Sequence, residues 1–197
     1  MSGPASRVPF VGLTGGLGAG KSTALAALSE LGAATLSTDA VVHELLGSEP
    51  VRSQIAARFP DVVQDGVVDR DKLAVQAFGS EGGREWLEGL LWPRVGERVA
   101  EFRDSVGAVP AAVVEVPLLF ESGMEAAFDH TIAVVAEESL RAERAGARGH
   151  EAVSERAGRQ LTQDQKSQRA DFTVRNDGTT GELKAELAEI LDSIGSG

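Results

Sequence analysis

Two rhythms of apolar residues alternate along this chain. Short apolar runs at Pro9 to Leu13, Ala33 to Leu36, Ala111 to Val116 and Thr131 to Val135 read as strands, with Asp171 to Val174 as the last. The run before Val116 is rich in β-branched residues, as expected of a strand covered on both faces. Between the strands, Leu25, Leu28 and Leu31 recur at helical spacing after Lys21, with Gly32 placed to stop the helix. Asp39 to Leu46 predicts the next helix. Near the end, Leu183, Leu187, Ile190, Leu191 and Ile194 share one helical face, and Thr179 and Glu182 precede it at capping-box spacing. The opening order is strand, loop, helix, strand, which begins an α/β sheet with parallel strands.

The rhythm changes between Pro50 and Asp104. Ile55 and Phe59, Leu73 and Phe78, and Trp86, Leu87, Leu90 and Leu91 all fall at helical spacing, and strand-like runs there are few and short. This predicts a mainly helical insertion at about 50–104 within a single domain, 1–197.

Composition narrows the class. A chain of 197 residues that is 42% hydrophobic can bury a proper core as one compact domain. Its net charge of −11 argues against broad adhesion to nucleic acid or anionic membrane. There is no cysteine, which excludes disulfides, thiolate nucleophiles and Cys-ligated zinc, and fits a cytoplasmic protein. Met1 to Val8 lacks signal-peptide character, and no apolar run approaches the roughly 20 residues that span a bilayer.

Gly15-Gly16-Leu17-Gly18-Ala19-Gly20-Lys21-Ser22 fits the G-x-x-x-x-G-K-[ST] pattern in full. Small residues let backbone N–H groups close around phosphate oxygens, and the helix that follows turns its positive end to the anion. Lys21 would bridge the β- and γ-phosphates, and Ser22 would offer its hydroxyl to Mg²⁺ with Thr23 beside it. A chance glycine-rich turn is the plain alternative. The strand before the motif and the amphipathic helix after it favour the functional reading. The motif indicates a nucleoside triphosphate with magnesium, and leaves the reaction open.

Two acids sit where strands end. Asp39 follows the second strand, and the carboxyl ends of strands in an open parallel sheet border the ligand crevice. A carboxylate there can take the proton of an attacking hydroxyl, or Asp39 or Thr38 can simply cap the next helix. Glu115 interrupts the apolar run Ala-Val-Val-Glu-Val-Pro. A carboxylate in a buried strand is costly unless paired or near a cation, which suggests the Mg²⁺ water shell beside Ser22; a strand-end pairing with an arginine is the alternative. Leu118-Leu119-Phe120-Glu121 is expected to run out over the crevice.

An acidic protein that binds polyphosphate must gather its cations, and they gather between Glu138 and Arg169. That stretch holds seven cations against five acids. Arg141, Arg144 and Arg148 share a face if it is helical. Guanidinium groups over a transferring phosphoryl stabilise its charge and keep water away, so a lid at about 138–169 is expected; for any single arginine a solvated, salt-bridged helix serves as well. His43, His130 and His150 show no metal-ligand spacing, and Trp86 and Trp92 are expected to pack in the core or helical lobe, with stacking on an adenine as the alternative.

Together these motifs resemble the dephospho-coenzyme A kinase family. The linked set is Leu13 to Thr23, then Asp39, Asp69-Arg70 with Leu73, Pro93, Pro117-Leu118-Leu119-Phe120-Glu121, Arg156, Gln160, Lys166, Ala170-Asp171-Phe172 and Asn176-Asp177-Gly178. The resemblance implies a P-loop kinase α/β three-layer fold with a five-stranded parallel sheet, a helical substrate lobe and a lid. It implies ATP-dependent phosphorylation of the ribose 3′-hydroxyl of dephospho-coenzyme A. It places Asp39 as the acid that activates that hydroxyl, Lys21 and a lid arginine, Arg144 or Arg148, on the phosphates, and Asn176 with the loop Gly16 to Thr23 at the nucleotide. A monomer or weak homo-oligomer is expected. The chain departs from the family pattern in Ser37-Thr38-Asp39, where two acids are common, and in Trp92, where a histidine usually precedes the proline. A kinase for a nucleoside monophosphate or small alcohol would use the same parts. A GTPase would carry an Asn-Lys-x-Asp motif, which the chain lacks.

Overall fold

The computed structural model describes residues 7–146 and 160–196. In chain order its elements are β1 (Phe10–Gly15), α1 (Lys21–Glu30), β2 (Ala34–Ser37), α2 (Thr38–Gly47), α3 (Glu49–Arg58), β3 (Val63–Gln64), β4 (Val67–Val68), α4 (Arg70–Gly79) and α5 (Gly83–Ser105). Then follow β5 (Ala112–Glu115), β6 (His130–Val135), α6 (Glu138–Gly146), α7 (Gln163–Arg169), β7 (Phe172–Arg175) and α8 (Thr180–Gly195). The chain divides into two compact units, Met1–Ser37 with Phe102–Gly197, and Thr38–Glu101.

The first unit is built on a five-stranded sheet in the order β2-β5-β1-β6-β7, with every pairing parallel. β1 lies in the middle and all its residues are buried, which is why its sequence runs apolar without alternation. Val11, Leu13, Val113, Ile132 and Val134 meet Ala24 and Leu28 of α1 and Leu183 and Leu187 of α8 in one core. The register sets Leu13, Glu115 and Ser37 side by side at the carboxyl edge of the sheet. Parallel strands joined through helices bring all these ends to one side, so the loop after β1 opens there.

α8 begins with the expected capping box. Thr179 Oγ1 accepts from the Glu182 N–H at 3.2 Å and the Thr179 N–H returns a bond to Glu182 Oε2 at 2.7 Å. The Thr179 N–H, and the Thr179 hydroxyl at 2.9 Å, donate to the Glu182 carboxylate and hold it below its usual pKa, while the cap satisfies donors the helix start leaves open.

The second unit is mainly helical. Leu46, Val51, Ile55, Phe59, Leu73 and Leu91 form its core, and Trp86 packs edge-on against Phe59 at 5.6 Å. Trp92 does not join the core: it is 42% exposed. The helical spacing that predicted Leu90 and Leu91 inside turns the next residue of the same helix outward. A small antiparallel hairpin, β3 with β4, turns on Asp65 and Gly66, both at positive φ (51° and 76°). Positive φ at both turn residues suits the twist of a two-residue hairpin. Asp69 caps α4 by accepting from the Lys72 N–H at 3.0 Å. Among the described residues no helix is long and apolar enough to cross a membrane.

Candidate functional site

The loop between β1 and α1 has the backbone its glycines predict. Gly18 and Gly20 stand at φ 73° and 91°. A side chain at Gly18 would run into the main chain of Arg141, and one at Gly20 into the side-chain amide of Asn176. Gly20 is the N-cap of α1 and supplies no side-chain bond to the helix start. The first-turn N–H groups of α1 therefore face the loop as an anion site. Lys21 folds back over this loop, donating to the carbonyls of Gly15 at 3.1 Å and Gly16 at 3.2 Å. Ser22 is exposed and Thr23 partly buried in the same first turn.

Three outside groups brace the loop. The Asn176 side-chain amide, buried just past β7, donates to the Ala19 carbonyl at 2.9 Å. Arg141 donates through Nε to the Leu17 carbonyl at 2.9 Å and pairs with Glu138 at 2.5 Å. Arg144 donates through Nη1 to the Asn176 carbonyl at 3.0 Å. Arg141 is thus the guanidinium seated on the loop, while Arg144 reaches it through Asn176. Arg148, the other lid arginine named from sequence, lies outside the described residues, as do His150, Arg156 and Arg159. A cavity of about 470 Å³ opens at the loop, lined by Gly16, Leu17, Glu138, Arg141, Leu161 and Thr162.

The acids separate by environment. Glu115 is 4% exposed at the carboxyl end of β5, in line with Leu13 and Ser37. Asp39 is exposed as the second residue of α2, and Thr38 before it is buried. Only Thr38 separates Asp39 from the end of β2. Among the described residues no three acidic or histidine side chains gather into a metal cage. A magnesium ion would therefore take most of its ligands from phosphate and water, the usual arrangement for Mg²⁺ with nucleotides, and the Ser22 hydroxyl and Glu115 carboxylate have the right oxygen chemistry for it.

The segment after Pro117 differs from its expected course. Leu119 and Phe120 are buried, and Glu121 turns inward to pair with Lys166. Leu119 lies against Gly12 of the central strand and Arg169 stands over the Phe120 ring at 5.0 Å, so these apolar side chains are taken up in packing. Lys166 itself, one cation among seven by sequence, is fully buried.

Gly20→Ala gives a direct check on the loop. The strained φ costs about 1–3 kcal/mol and the new methyl displaces Asn176, so ATP affinity is expected to fall at least about tenfold by calorimetry.

The dephospho-CoA kinase family model matches residues 9–182. A dephospho-CoA kinase of Rhodopseudomonas palustris (strain HaA2) is 35% identical over 188 residues, covering 93% of this chain and 94% of its own. A crystal structure from Thermus thermophilus superposes with a TM-score of 0.81 at 30% identity, covering 95% of this chain and 98% of that one. Dephospho-CoA kinase from Campylobacter jejuni shares the fold, with a TM-score of 0.64 at 20% identity, covering 98% of this chain and all of that one.

Proposed function

This chain belongs to the dephospho-CoA kinase family, and from that premise we propose how its residues divide the reaction. The family's reaction is ATP-dependent phosphorylation of dephospho-coenzyme A at the ribose 3′-hydroxyl, the final step of coenzyme A biosynthesis. The observation that carries the proposal is the phosphate loop: left-handed Gly18 and Gly20, Lys21 folded over the loop, and a cavity above Gly16 and Leu17.

ATP lies with its β- and γ-phosphates against the N–H groups of Gly16 to Thr23. Lys21 spans the two phosphates and follows the negative charge as it shifts toward the β–γ bridging oxygen. Arg141 and Arg144, held on the loop and on Asn176, supply further positive charge at the same wall. Ser22 and Glu115 would hold a magnesium ion, which when bound would supply positive charge to offset that of the phosphates. Asp39 accepts the proton of the 3′-hydroxyl. The bond from the 3′-oxygen to the γ-phosphorus forms as the bond to the β–γ bridging oxygen breaks, and ADP leaves. The location of Asp39 one residue beyond the end of β2 supports this role, because strand ends in parallel sheets carry the groups that meet ligands. A cytoplasmic place and a monomer or weak homo-oligomer complete the reading.

An ADP-release assay over a panel of acceptors tests it. Turnover with dephospho-coenzyme A and none with AMP or shikimate is expected. The reverse preference overturns the acceptor assignment.

A further inference from the structure

Two parts of the cavity lining, the phosphate loop and the Leu161–Thr162 segment, are joined through one buried ion pair. The Lys166 ammonium, 0% exposed, donates to the Pro117 carbonyl at 2.6 Å and to Thr14 Oγ1 at 3.3 Å, and pairs with Glu121 Oε1 at 3.0 Å. Thr14 is the residue immediately before Gly15, whose carbonyl holds Lys21. Glu121, in turn, accepts the Leu161 N–H at 2.8 Å, and Leu161 lines the same cavity as Gly16 and Leu17. The unbroken chain runs from the loop through Thr14, Lys166 and Glu121 to Leu161.

We propose that Lys166 and Glu121 are positioning residues for phosphoryl transfer, setting the spacing between the phosphate loop and the Leu161–Thr162 wall. The proposal rests on the phosphate-loop site described above.

Several features favour positioning over mere packing. A buried ion pair is a weak source of stability, because desolvation offsets most of its attraction. Here burial pushes the Lys166 pKa down while Glu121 pushes it back up. What the pair supplies is directional bonding to three segments at once: the end of β1, the turn after β5, and the start of α7. The helix holding Lys166 is itself fixed at its start, where Thr162 Oγ1 accepts from the Gln165 N–H at 3.2 Å and Gln165 Oε1 accepts from the Thr162 N–H at 2.9 Å. Thr162 also lines the cavity. Phosphoryl transfer depends on near-attack placement, and a displacement of about 1 Å can cost about a hundredfold in rate. A cross-brace linking both walls is where such placement is decided.

The test separates position from stability. Lys166→Met alone strands the Glu121 carboxylate in the interior and is expected to lower Tm. The double variant Lys166→Met/Glu121→Gln removes both charges. It keeps an amide oxygen for the Leu161 N–H, and the Thr14 hydroxyl still reaches the Pro117 carbonyl, its bond partner at 3.3 Å. The double variant is therefore expected to recover most of the lost Tm. Its kcat, measured well below Tm, is expected to stay at least about tenfold under wild type, with the KM for ATP changed less than about threefold. A double variant with recovered Tm and a kcat within about twofold of wild type overturns the proposal. If the double variant does not fold, Glu121→Gln alone is judged by the same kcat limits. Wild-type turnover of dephospho-coenzyme A and ATP binding in the same assays keep a failure here distinct from a failure of the site itself.

Discussion

Lys21→Ala is expected to cut kcat at least about a hundredfold, and to raise the KM for ATP by less. The ammonium is already at the mouth of the loop, held on the Gly15 and Gly16 carbonyls. It therefore needs no large movement to meet the β- and γ-phosphates. Its attraction grows as charge moves onto the bridging oxygen, so more is lost in the transition state than in the bound substrate. The remaining backbone amides still hold ATP, since α1 keeps its N-terminus and Gly20 its conformation. Steady-state ADP release at saturating dephospho-coenzyme A measures both constants. A change in KM alone would assign Lys21 to binding and remove it from the chemical step.

The second large effect is expected at Asp39. Asp39→Asn keeps size and hydrogen bonding but removes the base, so turnover is expected to fall about a hundredfold or more while ATP affinity holds. Asp39 is exposed on the first turn of α2, so the change leaves no buried group stranded and the fold should tolerate it. Near-normal turnover with normal ATP affinity would leave Asp39 only a place at the start of its helix. Calorimetry with ATP beside single-turnover kinetics separates the two results.

Much of the architecture was legible because it rests on local signals. The inner strands β1, β5 and β6 lay near where continuous apolar runs stood, since strands covered on both faces need no alternation. The capping box at Thr179 and Glu182 follows from an acid placed three residues after a threonine. The phosphate loop is a contiguous string whose glycines report their own backbone needs. The hairpin at Asp65-Gly66 is also local, but its strands are two residues each, too short to stand out in a helical stretch.

What escaped the sequence depends on distant partners. Lys166 reads as a surface cation within a polar helix; its burial follows from Glu121, Pro117 and Thr14, all remote in the chain. Its only sequence signal was membership in the linked motif set, which carries no geometry. Arg141 was one of several arginines on a face, and only the approach of α6 to Gly18 singles it out at the loop. Asn176 likewise takes its bracing role from the Ala19 carbonyl. The inward turn of Glu121 was hidden because Leu118 to Phe120 looks like an apolar run whichever side it faces.

The most direct test of the mechanism is a crystal structure with dephospho-coenzyme A and a non-hydrolysable ATP analogue bound together. The expected result places an Asp39 carboxylate oxygen within about 3 Å of the ribose 3′-oxygen, with that oxygen in line with the γ-phosphorus above the Gly16–Thr23 loop. An acceptor ribose seated in line with the γ-phosphorus while Asp39 stays beyond reach of the 3′-hydroxyl, directly or through one water, would contradict it.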